Sequence, residues 1–187
     1  MAAEHLTPVT LELGGKSPAI VDKDVNIQIA VKRLIWGKCF NAGQTCIASD
    51  YVLVNESVKD RLGETMKYYL QEFFEGNVLQ SEDYAHIVNE KRFNTLVSYL
   101  TNVNVLHGGK YDATALFIEP TIVDNVPENH PLLREEIFGP ILPIFTYKNI
   151  DEVVPFIRKN RYPLSCYVFS SNKKTKQLIP LNFGEGV

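Results

Sequence analysis

Apolar positions along this chain repeat with two different periods. Ile27, Ala30, Val31, Leu34 and Ile35 fall three and four residues apart ahead of Gly37, the spacing of one face of a helix. Leu62, Met66, Tyr69, Leu70 and Phe73 repeat that stripe across 58–74, and further amphipathic helices are predicted over 91–100 and about 150–159. Between them lie short runs rich in β-branched and aromatic residues at 9–13, 51–54, 117–123, 141–147 and 165–170, which read as strands. Gly14-Gly15 stops the first of these, and Gly108-Gly109 marks the turn before Phe117. Strands alternating with helices in this way predict an α/β fold, a sheet with helices packed on it.

Composition narrows the function classes. At 187 residues and 45% hydrophobic, the chain has the size of one domain and enough apolar side chains to bury a core without staples. A net charge of −3, with Lys and Arg scattered singly, gives no basic footprint for nucleic acid. The longest apolar stretches, at 141–145 and 167–169, fall far short of the ~20 residues of a spanning helix. The N-terminus has no basic region followed by an apolar block, so the expected setting is soluble, intracellular and reducing. The three cysteines, Cys39, Cys46 and Cys166, are an odd number without CxxC spacing, and His5, His86, His107 and His130 are dispersed. Neither a disulfide framework nor a metal site follows from that pattern, and one thiol is left for chemistry.

That thiol is Cys46. It lies in Phe40-Asn-Ala-Gly-Gln-Thr-Cys46, just after a glycine-containing turn that follows a helix. Such a turn exposes the sulfur, and the cysteine's own amide can face the oxygen of the carbon under attack. The competing reading is a buried structural cysteine, the commoner fate of a free thiol; Cys39, near the end of the helix, and Cys166, in a strand-like run, are assigned to it. A second candidate is Glu12, a carboxylate between Leu11 and Leu13 before the Gly14-Gly15 turn. Pointing inward, it would resist ionisation and suit a general base near neutral pH; pointing outward, it would be a solvated strand residue. Alternation alone favours the outward reading.

Leu11-Glu-Leu-Gly-Gly-Lys-Ser-Pro18 and the Cys46 segment, followed by Glu135-Glu-Ile-Phe-Gly-Pro140, resemble the signature motifs of the aldehyde dehydrogenase superfamily in the family's order. The resemblance covers nearly the whole chain. The wording of 7–18, 140–143 and 164–169 is most similar to the class 3 and fatty-aldehyde branch. It implies an open, twisted, mostly parallel sheet flanked by helices, and an NAD(P)-dependent oxidation of an aldehyde to an acid through a cysteine thioester. By that resemblance Cys46 is the nucleophile, Glu12 the base that activates water, Glu136 the holder of the nicotinamide ribose hydroxyls, and Phe138 a contact beside the nicotinamide.

The resemblance also implies that 1–187 is a truncated catalytic domain. In the family the dinucleotide-binding domain lies upstream and holds most of the NAD or NADP, together with an asparagine that is the second oxyanion donor; Asn41 belongs to the cysteine motif and is not that donor. A C-terminal return segment is expected beyond Val187. The isolated chain is therefore expected to be inactive in hydride transfer, and its parent to be a homodimer, membrane-anchored where the fatty-aldehyde branch carries a tail. Two other functions compete: a thiol-dependent esterase or acyltransferase, and a domain fragment without catalytic duty.

Overall fold

The computed structural model describes residues 2–159 and 163–181. Its centre is a six-stranded sheet. In chain order the strands of the fold are β1 (Pro18–Val21), β2 (Tyr51–Asn55), β3 (Asn104–His107), β4 (Tyr111–Asp112), β5 (Phe117–Ile118), β6 (Thr121–Asp124), β7 (Ile141–Tyr147) and β8 (Tyr167–Phe169). The sheet order is β3-β6-β7-β2-β1-β8, while β4 and β5 pair apart from it. Strands β6, β7, β2, β1 and β8 all run parallel, and within this sheet β3 alone pairs antiparallel, with β6. The mostly parallel α/β sheet expected from the sequence is thus borne out.

Helices cover both faces, which is why the inner strands are apolar on both sides instead of alternating. Helix α1 (Ile27–Cys39) starts where the Asn26 side chain accepts the Ile29 amide at 3.2 Å. It packs with α2 (Lys59–Phe73) on the face that carries Ala19, Val21, Val52 and Val54. The opposite face, with Ile20, Tyr51 and Leu53, meets Val153 and Ile157 of α5 (Val153–Arg158) and Ile179 of α6 (Lys173–Leu181). A third cluster joins Phe93 and Leu96 of α3 (Glu90–Ser98) to Phe117, Ile118, Ile137 and Ile141, with Leu132 of the short α4 (Pro131–Arg134).

Several sequence expectations need correction. The run at 9–13 is not a strand: Leu11 and Leu13 are about 70% exposed and nothing covers either of their faces. The strand forms later, at β1, whose four residues are all buried. The run at 117–123 is split at Pro120, which cannot donate to a ladder, so β5 pairs with β4 and β6 joins the main sheet. Strand β3 was hidden by its mixed polarity, and from β3 to β6 four strands follow one another with no helix between. The helix expected at 150–159 opens as a 3-10 turn, Ile150–Glu152, capped by Asn149 and Glu152. Residues 182–187, which precede the expected return segment, lie outside the described residues.

Candidate active site

Parallel pairing decides where the three motif segments go. Pro18 pairs with Tyr51 and Val52 with Ile144, so the residues leading into β1, β2 and β7 emerge at one rim of the sheet, the N-terminal ends of its strands. Open α/β sheets more often place ligands at the opposite rim.

One buried ion pair ties the three segments together. Lys16, from the first, forms a short salt bridge with Asp50, from the second; their side chains are 4% and 3% exposed. The Lys16 Nζ also donates to the carbonyls of Leu132 and Glu135, each at 2.9 Å. Asp50 in turn accepts the Ile137 amide at 2.7 Å, and its own amide donates to the Ser17 carbonyl at 2.8 Å. Every polar atom of the pair is therefore used, the condition under which a buried pair is tolerated.

The Cys46 loop leaves α1 through three consecutive left-handed residues, Asn41, Ala42 and Gly43, with φ of 50°, 51° and 71°. Such a backbone is costly for Asn and more so for Ala, and persists only where neighbours fix it. A side chain at Gly43 would collide with the Gly139 carbonyl, so glycine is required there. Gln44 supplies the restraint: its amide donates to Asn41 and His86 carbonyls at 3.1 and 3.0 Å, and its oxygen accepts the Val88 amide at 3.0 Å. Beyond it Cys46 is exposed to solvent. The Ile47 carbonyl is held by the Tyr167 hydroxyl at 2.6 Å.

The third segment is anchored as heavily. Arg92 donates to the carbonyls of Glu136 and Ile137, and the Tyr99 hydroxyl donates to the Glu135 carboxylate at 2.7 Å. These restraints hold Phe138 at φ 43°, a strained value for a bulky residue, with its ring partly exposed. The Glu136 carboxylate faces the Gly14-Gly15 backbone so closely that a side chain at Gly14 would strike it, and it accepts the Gly15 amide. Partial burial raises its proton affinity, opposed by the Gly15 amide, with Asp50 adding to the rise and Arg92 and Lys16 opposing it.

Of the residues singled out in the sequence, Glu136 therefore lies beside the first segment, Phe138 stands partly exposed two residues further on, and Cys46 follows the turn at Gly43 that packs on Gly139. Glu12 is exposed, on the irregular stretch that leads into Gly14, and belongs to no strand. Cys39 and Cys166 are largely buried, and burial pushes their thiols up to about 12 and about 11. Sequence reasoning missed Lys16, Asp50, Gln44 and Arg92. A signal existed for the first two, each a charge within two residues of the start of a buried strand. Among the described residues no group of three or more His, Cys, Asp or Glu could hold a metal ion, and no helix is long and apolar enough to cross a membrane.

The profile of the aldehyde dehydrogenase family matches residues 1–180. The 4,4'-diaponeurosporen-aldehyde dehydrogenase of Staphylococcus aureus is 48% identical over 99% of this chain and 41% of its own length. The dimeric NADP-preferring aldehyde dehydrogenase of Rattus norvegicus is 43% identical over the whole chain and 41% of its length, and aldehyde dehydrogenase family 3 member A2 of Mus musculus 45% over 92% and 36%. Among solved structures, substrate-bound Staphylococcus aureus AldH superposes with a TM-score of 0.92 at 48% identity, covering 95% of this chain and 39% of that one. Betaine aldehyde dehydrogenase of the same species, in complex with NAD+, gives 0.83 at 27% identity, covering 97% and 38%. The chain thus spans about two fifths of the length of the relatives it matches.

Proposed function

This chain belongs to the aldehyde dehydrogenase family, and from that premise we propose that it is the catalytic portion of an NAD(P)-dependent enzyme that oxidises aldehydes, fatty aldehydes among them, to carboxylic acids. The observation that carries the reading is the convergence of the three motif segments on one rim of the sheet, with the only exposed thiol of the three at the end of a strained, heavily anchored loop.

In this reading the Cys46 sulfur bonds to the aldehyde carbon, and the oxyanion that forms accepts from the Cys46 amide. Bound NAD(P) supplies the acceptor for the hydride that leaves that carbon. The side chains present suit such a group: Glu136 offers carboxylate oxygens to a pair of ribose hydroxyls, and the partly exposed Phe138 ring offers an apolar surface to a flat heterocycle. Water then cleaves the thioester on Cys46. Glu12 takes the water's proton, the carbon–sulfur bond breaks, and the acid leaves while the thiol is restored. Most cofactor contacts, and a second oxyanion donor, belong to the remainder of a full-length enzyme, which is dimeric in this proposal.

The test is made in a full-length enzyme carrying this chain, with long-chain aldehydes and NAD or NADP. Cys46→Ser is expected to abolish reduced-cofactor formation. Glu12→Gln is expected to leave a single burst of reduced cofactor without steady turnover, since thiol attack precedes the step that needs the base. Normal steady turnover of either variant would overturn the assignment.

A further inference from the structure

The tip that carries Cys46 has little packing to hold it. Thr45, Cys46, Ile47 and Ala48 form a β-turn closed by the Ala48 amide on the Thr45 carbonyl at 3.0 Å, and both central residues, Cys46 and Ile47, are exposed. Exposed loop tips are ordinarily among the least ordered parts of a protein. A nucleophile placed there keeps one geometry only where hydrogen bonds fix its backbone.

The Ile47 carbonyl supplies that fixture. It accepts from the Tyr167 hydroxyl at 2.6 Å and, at a longer 3.4 Å, from Ser165 Oγ, both on the stretch that leads into and opens β8. Parallel pairing of Ala19 with Tyr167 brings this stretch to the same rim as the three motif segments. There the Ser165 amide donates to the buried Ser17 Oγ at 3.2 Å, and the Ser17 carbonyl accepts the Asp50 amide. A fourth segment thus reaches the site, from 120 residues beyond Ile47 in the chain. The Tyr167 ring packs against the cluster that holds Ala19, Val21 and Val52, a task a phenylalanine ring does equally well. Packing therefore leaves the hydroxyl unexplained, and its bond ends one residue from Cys46.

We propose that Tyr167 is a positioning residue of this site: its hydroxyl, seconded by Ser165, clamps the Cys46 turn so that the Cys46 amide faces the oxyanion formed when the sulfur attacks a carbonyl carbon. The proposal rests on the reading of Cys46 as the nucleophile. Alkylation of the sulfur forms no oxyanion and needs only an exposed thiol, whereas acylation needs the thiol and the amide together. The clamp serves the second kind of reaction.

The deciding experiment uses the chain itself and no cofactor. Wild type and Tyr167→Phe are compared for hydrogen exchange of the Ala48 amide, for Cys46 alkylation by iodoacetamide, and for Cys46 acylation by p-nitrophenyl acetate, with Cys46→Ser as the blank. In the acylation the carbon–sulfur bond forms and the carbon–oxygen bond to p-nitrophenolate breaks. Ala48 exchange is expected to quicken about fivefold, the worth of one ordinary hydrogen bond. Acylation is expected to slow about tenfold while alkylation stays within about twofold and Tm is unchanged. Ser165→Ala, which also serves should Tyr167→Phe fold poorly, is expected to give the same pattern at smaller size. Unmoved Ala48 exchange, or acylation slowed no more than alkylation, overturns the proposal. So does a fall in Tm with exchange quickened throughout β1 and β8, the mark of a packing residue. If the wild type itself is not acylated at Cys46, the nucleophile reading fails instead, and Ala48 exchange alone decides the clamp.

Discussion

Three thiols share this chain and differ in what surrounds them. Burial holds Cys39 at about 12 and Cys166 at about 11, so near pH 8 the thiolate is about one part in 10⁴ of the first and one in 10³ of the second. Cys46 faces solvent. Iodoacetamide under native conditions is therefore expected to label Cys46 at least tenfold faster than either neighbour, read by peptide mass mapping over time. Faster labelling of Cys39 or Cys166 would remove Cys46 as the nucleophile. This contrast was legible in the sequence because a glycine turn before a cysteine marks exposure and a helical stripe marks burial. Glu12 was not, because its facing depended on a strand at 9–13 that does not form.

At the scale of elements, the site is registered by a few buried polar contacts between segments far apart in the chain. Cutting one partner of the Lys16–Asp50 pair leaves the other charge stranded, which typically costs about 3–5 kcal/mol. Asp50→Ala is accordingly expected to lower the denaturant midpoint sharply and to loosen the 135–140 segment, while Lys16→Met with Asp50→Leu recovers most of the stability but not the anchoring. Equal destabilisation by single and double variants would show that the pair is worth its full attraction. Periodicity could reveal α1, α2, β2 and β7, each with an apolar pattern of its own. It could not reveal Lys16, Asp50, Gln44 or Arg92, whose side chains reach partners 34 to 119 residues away along the chain. Nor could it reveal β3, where polar residues serve a sheet edge.

For the whole molecule, the buried titratable groups set a pH profile with a turning point. Lys38 has a folded-state value below its unfolded one, so its cost is fully present below about 8 and is relieved as pH rises toward 10.5. Cys39 and Cys166 run the other way. Their folded-state values lie above the ordinary 9.0, so the stability they contribute is present below pH 9 and lost as pH climbs toward 12 and 11. Stability from urea unfolding is thus expected to rise by about 0.3 kcal/mol between about pH 8 and 9, Lys38 adding about 1 and the two cysteines together removing about 0.7, and to fall above it. Lys38→Met should show the fall without the rise, and a wild-type profile that declines steadily from pH 8 would contradict the burial of Lys38. The parallel sheet has a consequence for engineering as well. Because the chemistry-bearing segments all enter at one rim, the far rim is free to be rewritten, and the exposed Lys148 and Asn149 just beyond β7 belong to it. A ten-residue Gly-Ser insert after Lys148 is expected to leave Cys46 labelling unchanged, whereas the same insert after Ala48 should abolish its selectivity. Foreign epitopes, reporters or new termini made by circular permutation therefore have a defined side of this protein on which to be placed.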